Sequence, residues 1–389
     1  MTALSPPTSP ASATRRAEPL PSDTDENDYP APLELPQFSV LWRYAVKVTT
    51  NPAPTPRQKA PVLSDVAKAA GVSVPTVSRV LTSSKFVAPE LRERVMQAVS
   101  ELGYRPNGAA RATRSGKRSM VAVLTGATSN YGYAKTIEGI EKAARQSGMS
   151  VIIAVVESDE DEAVNAAIDL VLSQPVAGVI ILEFDRPGLA AVKAFPASIP
   201  LVVAGGGSRR TGKVPGALLD ERAAGKDATN YLLSLGHKTV HHVAVPTMGK
   251  HSGRTEGWRA ALTAAGIDVP AVRHATWEPS SGYRTGQELA ARDDVTAVFC
   301  GNDDVAIGVI RALLDYGKRV PEDVSVVGFD DQPHVAMWRP ALTTVRQDFQ
   351  DLGARAFGLL AASVETGLPP ESSTVKPQLV LRESAAAAS

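Results

Sequence analysis

Cysteine is nearly absent from this chain of 389 residues: Cys300 stands alone. A single thiol builds no disulfide framework, so the fold must be held by its core, and a reducing cytoplasm is the expected setting. No run of about 18 apolar residues occurs and no secretory pattern opens the chain, which argues against membrane insertion and export. Catalytic signatures are missing too: there is no His-Glu-x-x-His, no paired cysteine spacing and no Gly-x-Ser-x-Gly elbow. His237, His241 and His242 lie along an expected strand, where neighbours point to opposite faces, so they form no evident ligand set. Gly207-Ser-Arg-Arg-Thr-Gly-Lys213 nearly spells a phosphate-binding loop. It fails at Val214, where magnesium needs a hydroxyl, and Pro215-Gly216 opposes the helix that should follow. The expectation is a protein that is not an enzyme and has no catalytic residues, no metal and no cofactor.

Net charge is also lacking, since 41 basic residues balance 41 acidic ones. The balance hides an asymmetry. Residues 57–118 carry twelve Lys or Arg against four Asp or Glu, whereas residues 1–56 carry four against six and residues 119–389 carry 25 against 31. One short segment thus holds all of the positive excess, and a polyanion is its natural partner.

That segment contains Leu63 to Leu81, which reads as a helix-turn-helix. Val66, Ala69 and Ala70 recur at helical spacing, and Gly71 stands where the chain leaves the helix with positive φ. Ser73 supplies a hydroxyl cap, and Pro75 falls in the first turn of a second helix that turns Val77, Val80 and Leu81 inward. Val74, Pro75, Thr76, Ser78 and Arg79 are left facing outward, an arrangement that a major groove accepts. A third helix follows from Pro89, with Leu91, Val95, Ala98, Val99 and Leu102 as its apolar stripe and Arg92 and Arg94 available to solvent or phosphate. An ordinary helical hairpin is the bland alternative, which the local basic charge disfavours.

The first 55 or so residues are rich in Pro, Ser, Ala and acid and read as disordered. From Met120 the periodicity changes. Strand-length apolar runs at 121–124, 151–156, 179–182 and 201–204 alternate with helical stretches near 134–147, 160–173 and 187–195, and the pattern resumes at 241–245, 297–300 and 324–328. Such alternation implies parallel sheets covered on both faces, and its length implies two Rossmann-like subdomains facing a cleft. The expected plan is multidomain: a disordered extension over 1–58, a small all-α helix-turn-helix headpiece over 59–107, a hinge over 108–118, an α/β effector-binding and dimerisation domain of two subdomains over 119–383, and a tail over 384–389.

Several motifs in order carry a resemblance to a known family. They are Asp65-Val-Ala-Lys-Ala-Ala-Gly-Val-Ser73 with Thr76-Val-Ser-Arg-Val-Leu81, Leu102-Gly-Tyr-Arg-Pro-Asn107, Leu235-Gly-His237, Asn302-Asp303, Arg319-Val-Pro-Glu-Asp-Val-Ser-Val-Val-Gly-Phe-Asp-Asp331 and Leu342-Thr-Thr-Val-Arg-Gln347. From about Leu63 to Glu383 the chain resembles the lactose-repressor/galactose-repressor (LacI/GalR) family of bacterial transcription regulators. The resemblance implies a homodimer on a near-palindromic double-stranded DNA operator, governed by a small ligand between two periplasmic-binding-protein-like subdomains.

Carried over by position, the resemblance assigns base reading to Val74, Pro75 and Arg79. Arg79 is the strongest candidate, since a guanidinium fork matches guanine O6 and N7. Ser73, Thr76, Ser78 and Tyr104 match phosphate contacts, Asn107 ends the matching headpiece motif, and Thr113 matches the hinge leucine that wedges a base step apart. Threonine is the poorer wedge. Val62 and Ala88 stand where members often place hydroxyl caps. In the cleft, Arg254 matches the sugar-contacting arginine, Asn302 and Asp330 the polar contacts, and Trp277 an aromatic that stacks on ligand. Tyr131, with Ser129 and Asn130, follows the first strand and is a further lining candidate. Gly205-Gly206-Gly207 replaces an acidic ligand contact found in many members. The expected function is a cytoplasmic repressor of carbohydrate-use genes, relieved by a mono- or oligosaccharide effector. A corepressor-dependent regulator, or a sugar-binding protein without specific DNA binding, is the alternative.

Overall fold

The computed structural model of the chain describes residues 61–81, 87–104, 119–207, 214–246 and 252–388, which fall into two compact units divided between Arg105 and Pro106. Among the described residues the first unit holds three helices, α1 (Leu63–Ala70), α2 (Val74–Leu81) and α3 (Pro89–Glu101). Val66, Ala67, Ala70, Val77, Val80, Val95 and Ala98 form its buried core, one face from each amphipathic helix. Val62 brings no capping group to α1, and the Asp65 carboxylate accepts the Val62 N–H at 2.8 Å instead. Ala88 likewise caps nothing through its side chain, and Pro89 opens α3. Gly71 sits at φ 61°, with Val72 N–H on Ala67 O at 3.0 Å and Gly71 N–H on Lys68 O at 3.2 Å. A residue with a Cβ is strained in this turn. Two expectations for α3 are corrected. Arg94 donates through Nη2 to Ala70 O at 2.7 Å, so it satisfies the carboxyl end of α1. Leu102 is 38% exposed, because α3 ends at Glu101 and Leu102 is already its C-cap.

The second unit consists of two α/β lobes. The first lobe is built on β1 (Met120–Thr125), α4 (Tyr131–Gln146), β2 (Ser150–Val155), α5 (Asp161–Leu172), β3 (Val176–Glu183), α6 (Arg186–Ala194), β4 (Leu201–Gly206) and β5 (Gly216–Leu219). The second lobe contains α7 (Glu221–Ser234), β6 (His241–Ala244), α8 (Gly253–Ala264), β7 (Arg273–His274), α9 (Pro279–Ala290), β8 (Ala297–Cys300), α10 (Asp303–Asp315), β9 (Ser325–Val327) and β10 (Thr344–Arg346). The chain then returns to the first lobe with α11 (Phe349–Thr366) and β11 (Ser373–Val375), and ends in the second with β12 (Gln378–Val380).

Both main sheets are parallel throughout, in the orders β11-β5-β4-β3-β1-β2 and β7-β6-β8-β9. Each is covered on both faces: α4 and α11 lie over one face of the first sheet and α5 and α6 over the other. In the second lobe α9 and α10 oppose α7 and α8. This is the doubly wound arrangement, in which ligand crevices open at strand carboxyl ends where the order reverses. The chain passes between lobes at residue 220, at 347–348 and at 376–377. The short strands β10 and β12 pair antiparallel beside the second sheet. Residues 384–388, expected as a tail, are stitched into the second lobe: Ser384 is fully buried and donates to Val326 O at 2.6 Å, and Ala388 N–H reaches Leu235 O at 2.9 Å. Backbone pairing gives this short alanine-rich end an order that its composition does not announce.

Candidate functional site

The first unit presents α2 as expected. Val77 and Val80 are buried, Val74, Pro75 and Arg79 are exposed, and Thr76 and Ser78 are half-buried. Ser73 Oγ lies 2.8 Å from Thr76 Oγ1 and accepts the Thr76 N–H at 3.4 Å, so the cap holds the first turn of the helix. Tyr104 is half-buried against the headpiece core. Asn107 and Thr113 lie outside the described residues.

In the second unit a cleft of about 420 Å³ opens between the lobes. All five sequence-predicted residues, Tyr131, Arg254, Trp277, Asn302 and Asp330, line it, together with Ser129 and Asn130. Topology explains the convergence. Tyr131 begins α4 beyond β1, Asn302 caps α10 beyond β8, Asp330 follows β9, and Arg254 opens α8 beyond β6. Each therefore stands at the carboxyl end of a strand.

The polar centre is a buried ion cluster. Arg254, 5% exposed, donates to Glu221 Oε1 from Nη2 at 2.7 Å and from Nε at 3.1 Å. Its Nη1 bonds Gly301 O, its Nη2 lies 3.5 Å from Asp330 Oδ1, and its guanidinium covers the Phe329 ring at 4.2 Å. Asp330 has φ 117°, unusual for a residue other than glycine, and accepts from Gln347 Nε2 at 2.8 Å. Burial pushes its carboxyl up to about 6, although Arg254 pulls the other way. Burial also holds Asp303 well above the usual carboxylate range, while the Thr344 hydroxyl at 2.5 Å and the Gln332 N–H at 2.8 Å satisfy its oxygens.

Asn302 is largely committed to structure. Its Oδ1 accepts the Val305 N–H at 2.9 Å and its Nδ2 donates to Trp277 O at 3.3 Å, which ties the Trp277 loop to α10. Sequence reasoning missed several lining groups. Glu183 ends β3 and Phe184 follows it, Glu221 follows β5, and Phe349 begins α11. Tyr131, Tyr133, Phe184 and Phe349 form an aromatic wall in the first lobe, with ring centroids 5.0–6.0 Å apart at steep angles. The strand-end positions of Glu183 and Phe184 were a usable signal; Phe349 had no local one.

His242 is buried, donates from Nδ1 to Phe299 O at 2.9 Å, accepts the Thr255 hydroxyl at Nε2 at 2.9 Å, and stacks on Phe299. Burial lowers it to about 4, so it is neutral. Among the described residues no group of His, Cys, Asp and Glu could hold a metal ion. Residues 208–213 of the near phosphate loop lie outside the described residues, and a strand, β5, follows them rather than a helix. No described helix is long and apolar enough to cross a membrane.

A helix-turn-helix unit followed by a two-lobed α/β binding domain defines a transcriptional regulator with a ligand cleft, and the comparisons agree. Residues 62–107 match the model of bacterial regulatory proteins, lacI family, and residues 229–385 match a periplasmic binding protein-like domain. The HTH-type transcriptional repressor PurR of Escherichia coli O1:K1 is 32% identical over 331 residues, covering 83% of this chain and 96% of PurR. A crystal structure of the Lac repressor dimer bound to operator and the anti-inducer ONPF is 30% identical with a TM-score of 0.76, covering 85% of this chain and all of that one. The complex of the transcriptional regulator CelR with cellobiose is 30% identical with a TM-score of 0.62, covering 83% and 99%. The chain belongs to the lacI family of bacterial regulatory proteins. It is a transcriptional repressor of that family, not an enzyme.

Proposed function

We propose that this protein is a cytoplasmic homodimer that represses carbohydrate-use genes from a near-palindromic operator and is relieved by a mono- or oligosaccharide bound between its lobes. The observation that carries the effector class is the cleft lining. Trp277 and the first-lobe aromatics offer flat surfaces to sugar C–H faces, and the Arg254–Glu221–Asp330 cluster offers paired donors and acceptors to neighbouring hydroxyls. The similar regulator CelR forms a complex with cellobiose, which supports the same class.

Arg79, Val74 and Pro75 are proposed to read bases, while Ser73, Thr76, Ser78 and Tyr104 hold phosphates, Asn107 adds a further DNA contact and Thr113 enters the minor groove. Coupling follows from the connections between lobes. Closing the cleft around a ligand turns one lobe against the other at 220, 347–348 and 376–377. That motion changes the spacing at which a dimer offers two headpieces to two half-sites. A coupling of about 1–3 kcal/mol changes operator affinity about 5- to 150-fold, enough to switch a promoter.

The test is a fluorescence-anisotropy titration against DNA from the region upstream of its own coding sequence, at two salt concentrations, with and without a panel of mono- and disaccharides. Specific binding weakened by one sugar supports induction, and binding strengthened by a ligand makes the protein a corepressor system. Sugar binding without any specific DNA binding would return the chain to the solute-binding reading.

A further inference from the structure

A close packing contact lies in the cleft at the end of β4. Gly206 lines the cavity, and a Cβ built there would lie 2.4 Å from Glu221 Cδ and 2.6–2.7 Å from both carboxylate oxygens. The Glu221 carboxylate thus fills the volume that any side chain at 206 would need. It is 5% exposed, and both hydrogen bonds from Arg254 fall on Oε1. Neither Arg254 bond uses Oε2, and Glu221 lines the cavity, so a ligand in the cleft can donate to that oxygen. A buried carboxylate gains from each donor it accepts, and a ligand hydroxyl or ammonium supplies one.

From this geometry we infer that Glu221, seated in the space left by Gly206, is a specificity-determining residue that accepts a hydroxyl or ammonium of an uncharged or cationic sugar and rejects a phosphate or carboxylate at that end of the cleft. The inference rests on the sugar reading above. Arg254 does not reverse the sign there. Its Nε and both terminal nitrogens are already engaged with Glu221 and Gly301, and Asp330 lies against the same guanidinium. An anion placed between Glu221 and Asp330 would meet two carboxylates for one shared cation, and like charges at such separations oppose binding.

Calorimetric titration of the full-length protein tests this with matched probes: glucose, glucosamine, glucose 6-phosphate and gluconate, then cellobiose and cellobionate. The wild type should bind a neutral or amino member at least about tenfold more tightly than its phosphorylated or carboxylate counterpart. Glu221→Gln should weaken the neutral probe about tenfold and narrow its lead over the anionic one, because the amide accepts weakly and no longer repels. Gly206→Ala should have the same two effects by displacing Glu221, and thermal melts report whether each variant is folded. An anionic probe that outcompetes its neutral parent, or a Glu221→Gln protein with unchanged discrimination, would overturn the inference. Failure of every sugar, charged or not, to bind would instead overturn the sugar reading beneath it.

Discussion

Replacing Arg254 with methionine would strip the cation from the centre of the cleft while keeping most of the side-chain volume. Three nitrogens lose their bonds, two of them to Glu221 and one to Gly301. Glu221 and Asp330, 5% and 6% exposed, are left as buried carboxylates without a partner charge. Breaking a buried pair from one side costs about 3–5 kcal/mol, much of it the penalty on the orphaned acid. For a domain of this size each kcal/mol lowers Tm by about 2–4 °C, so the ligand-domain transition should fall by about 10 °C. Differential scanning calorimetry reads that shift, and anisotropy reads the second effect, a blunted response of operator binding to sugar. A double variant that adds Glu221→Gln should lose clearly less than the sum of the single changes, because the carboxylate whose charge Arg254 balanced is gone. A Tm change under about 2 °C, or strict additivity in that cycle, would falsify the view that charge pairing holds this cluster.

Other outcomes follow from the same structure. Arg79→Ala should abolish preference for operator over random DNA while leaving salt-sensitive nonspecific binding largely intact; equal loss on all DNA in anisotropy titrations would contradict a base-reading role. The raised Asp330 carboxyl makes a signed pH prediction. Because its folded value, about 6, exceeds the ordinary 3.8, the native state holds the proton more tightly, and stability falls as pH rises from about 4 through 6. Asp330→Asn should therefore flatten the Tm-against-pH curve between pH 4 and 7, and an unchanged slope would count against burial as the cause. In the headpiece, Gly71→Ala should cost about 1 kcal/mol through its positive φ and its crowding of Arg94, seen as reduced operator affinity near the headpiece melting range.

Local signals in the sequence determined a good deal. Apolar spacing of 3.6 placed α1, α2 and α3 and turned Val77 and Val80 inward, and Gly71 marked its left-handed cap, because each of these depends on residues within one turn. Unbroken apolar runs located β1, β3, β4 and β8, since strands covered on both faces need no polar side. Arg254, Asp330, Asn302, Trp277 and Tyr131 were legible from motif resemblance, and their positions after strands suit a doubly wound cleft.

What the tertiary structure alone decided depends on contacts between distant segments. Strands of three residues, such as β10, β11 and β12, carry too little pattern to be read, and they order only because a neighbouring strand supplies their partners. The return of α11 to the first lobe brings Phe349 against Tyr131, more than 200 positions earlier, and no local periodicity encodes that pairing. Arg94 closes α1 from 24 residues away. Glu221 shows the principle most clearly. In sequence it is one acid at the start of a helix, and the glycines at the end of β4 read as a lost acidic contact. Packing places the Glu221 carboxylate in the volume that Gly206 leaves empty, within reach of Arg254, so the acid is supplied from another segment of the chain.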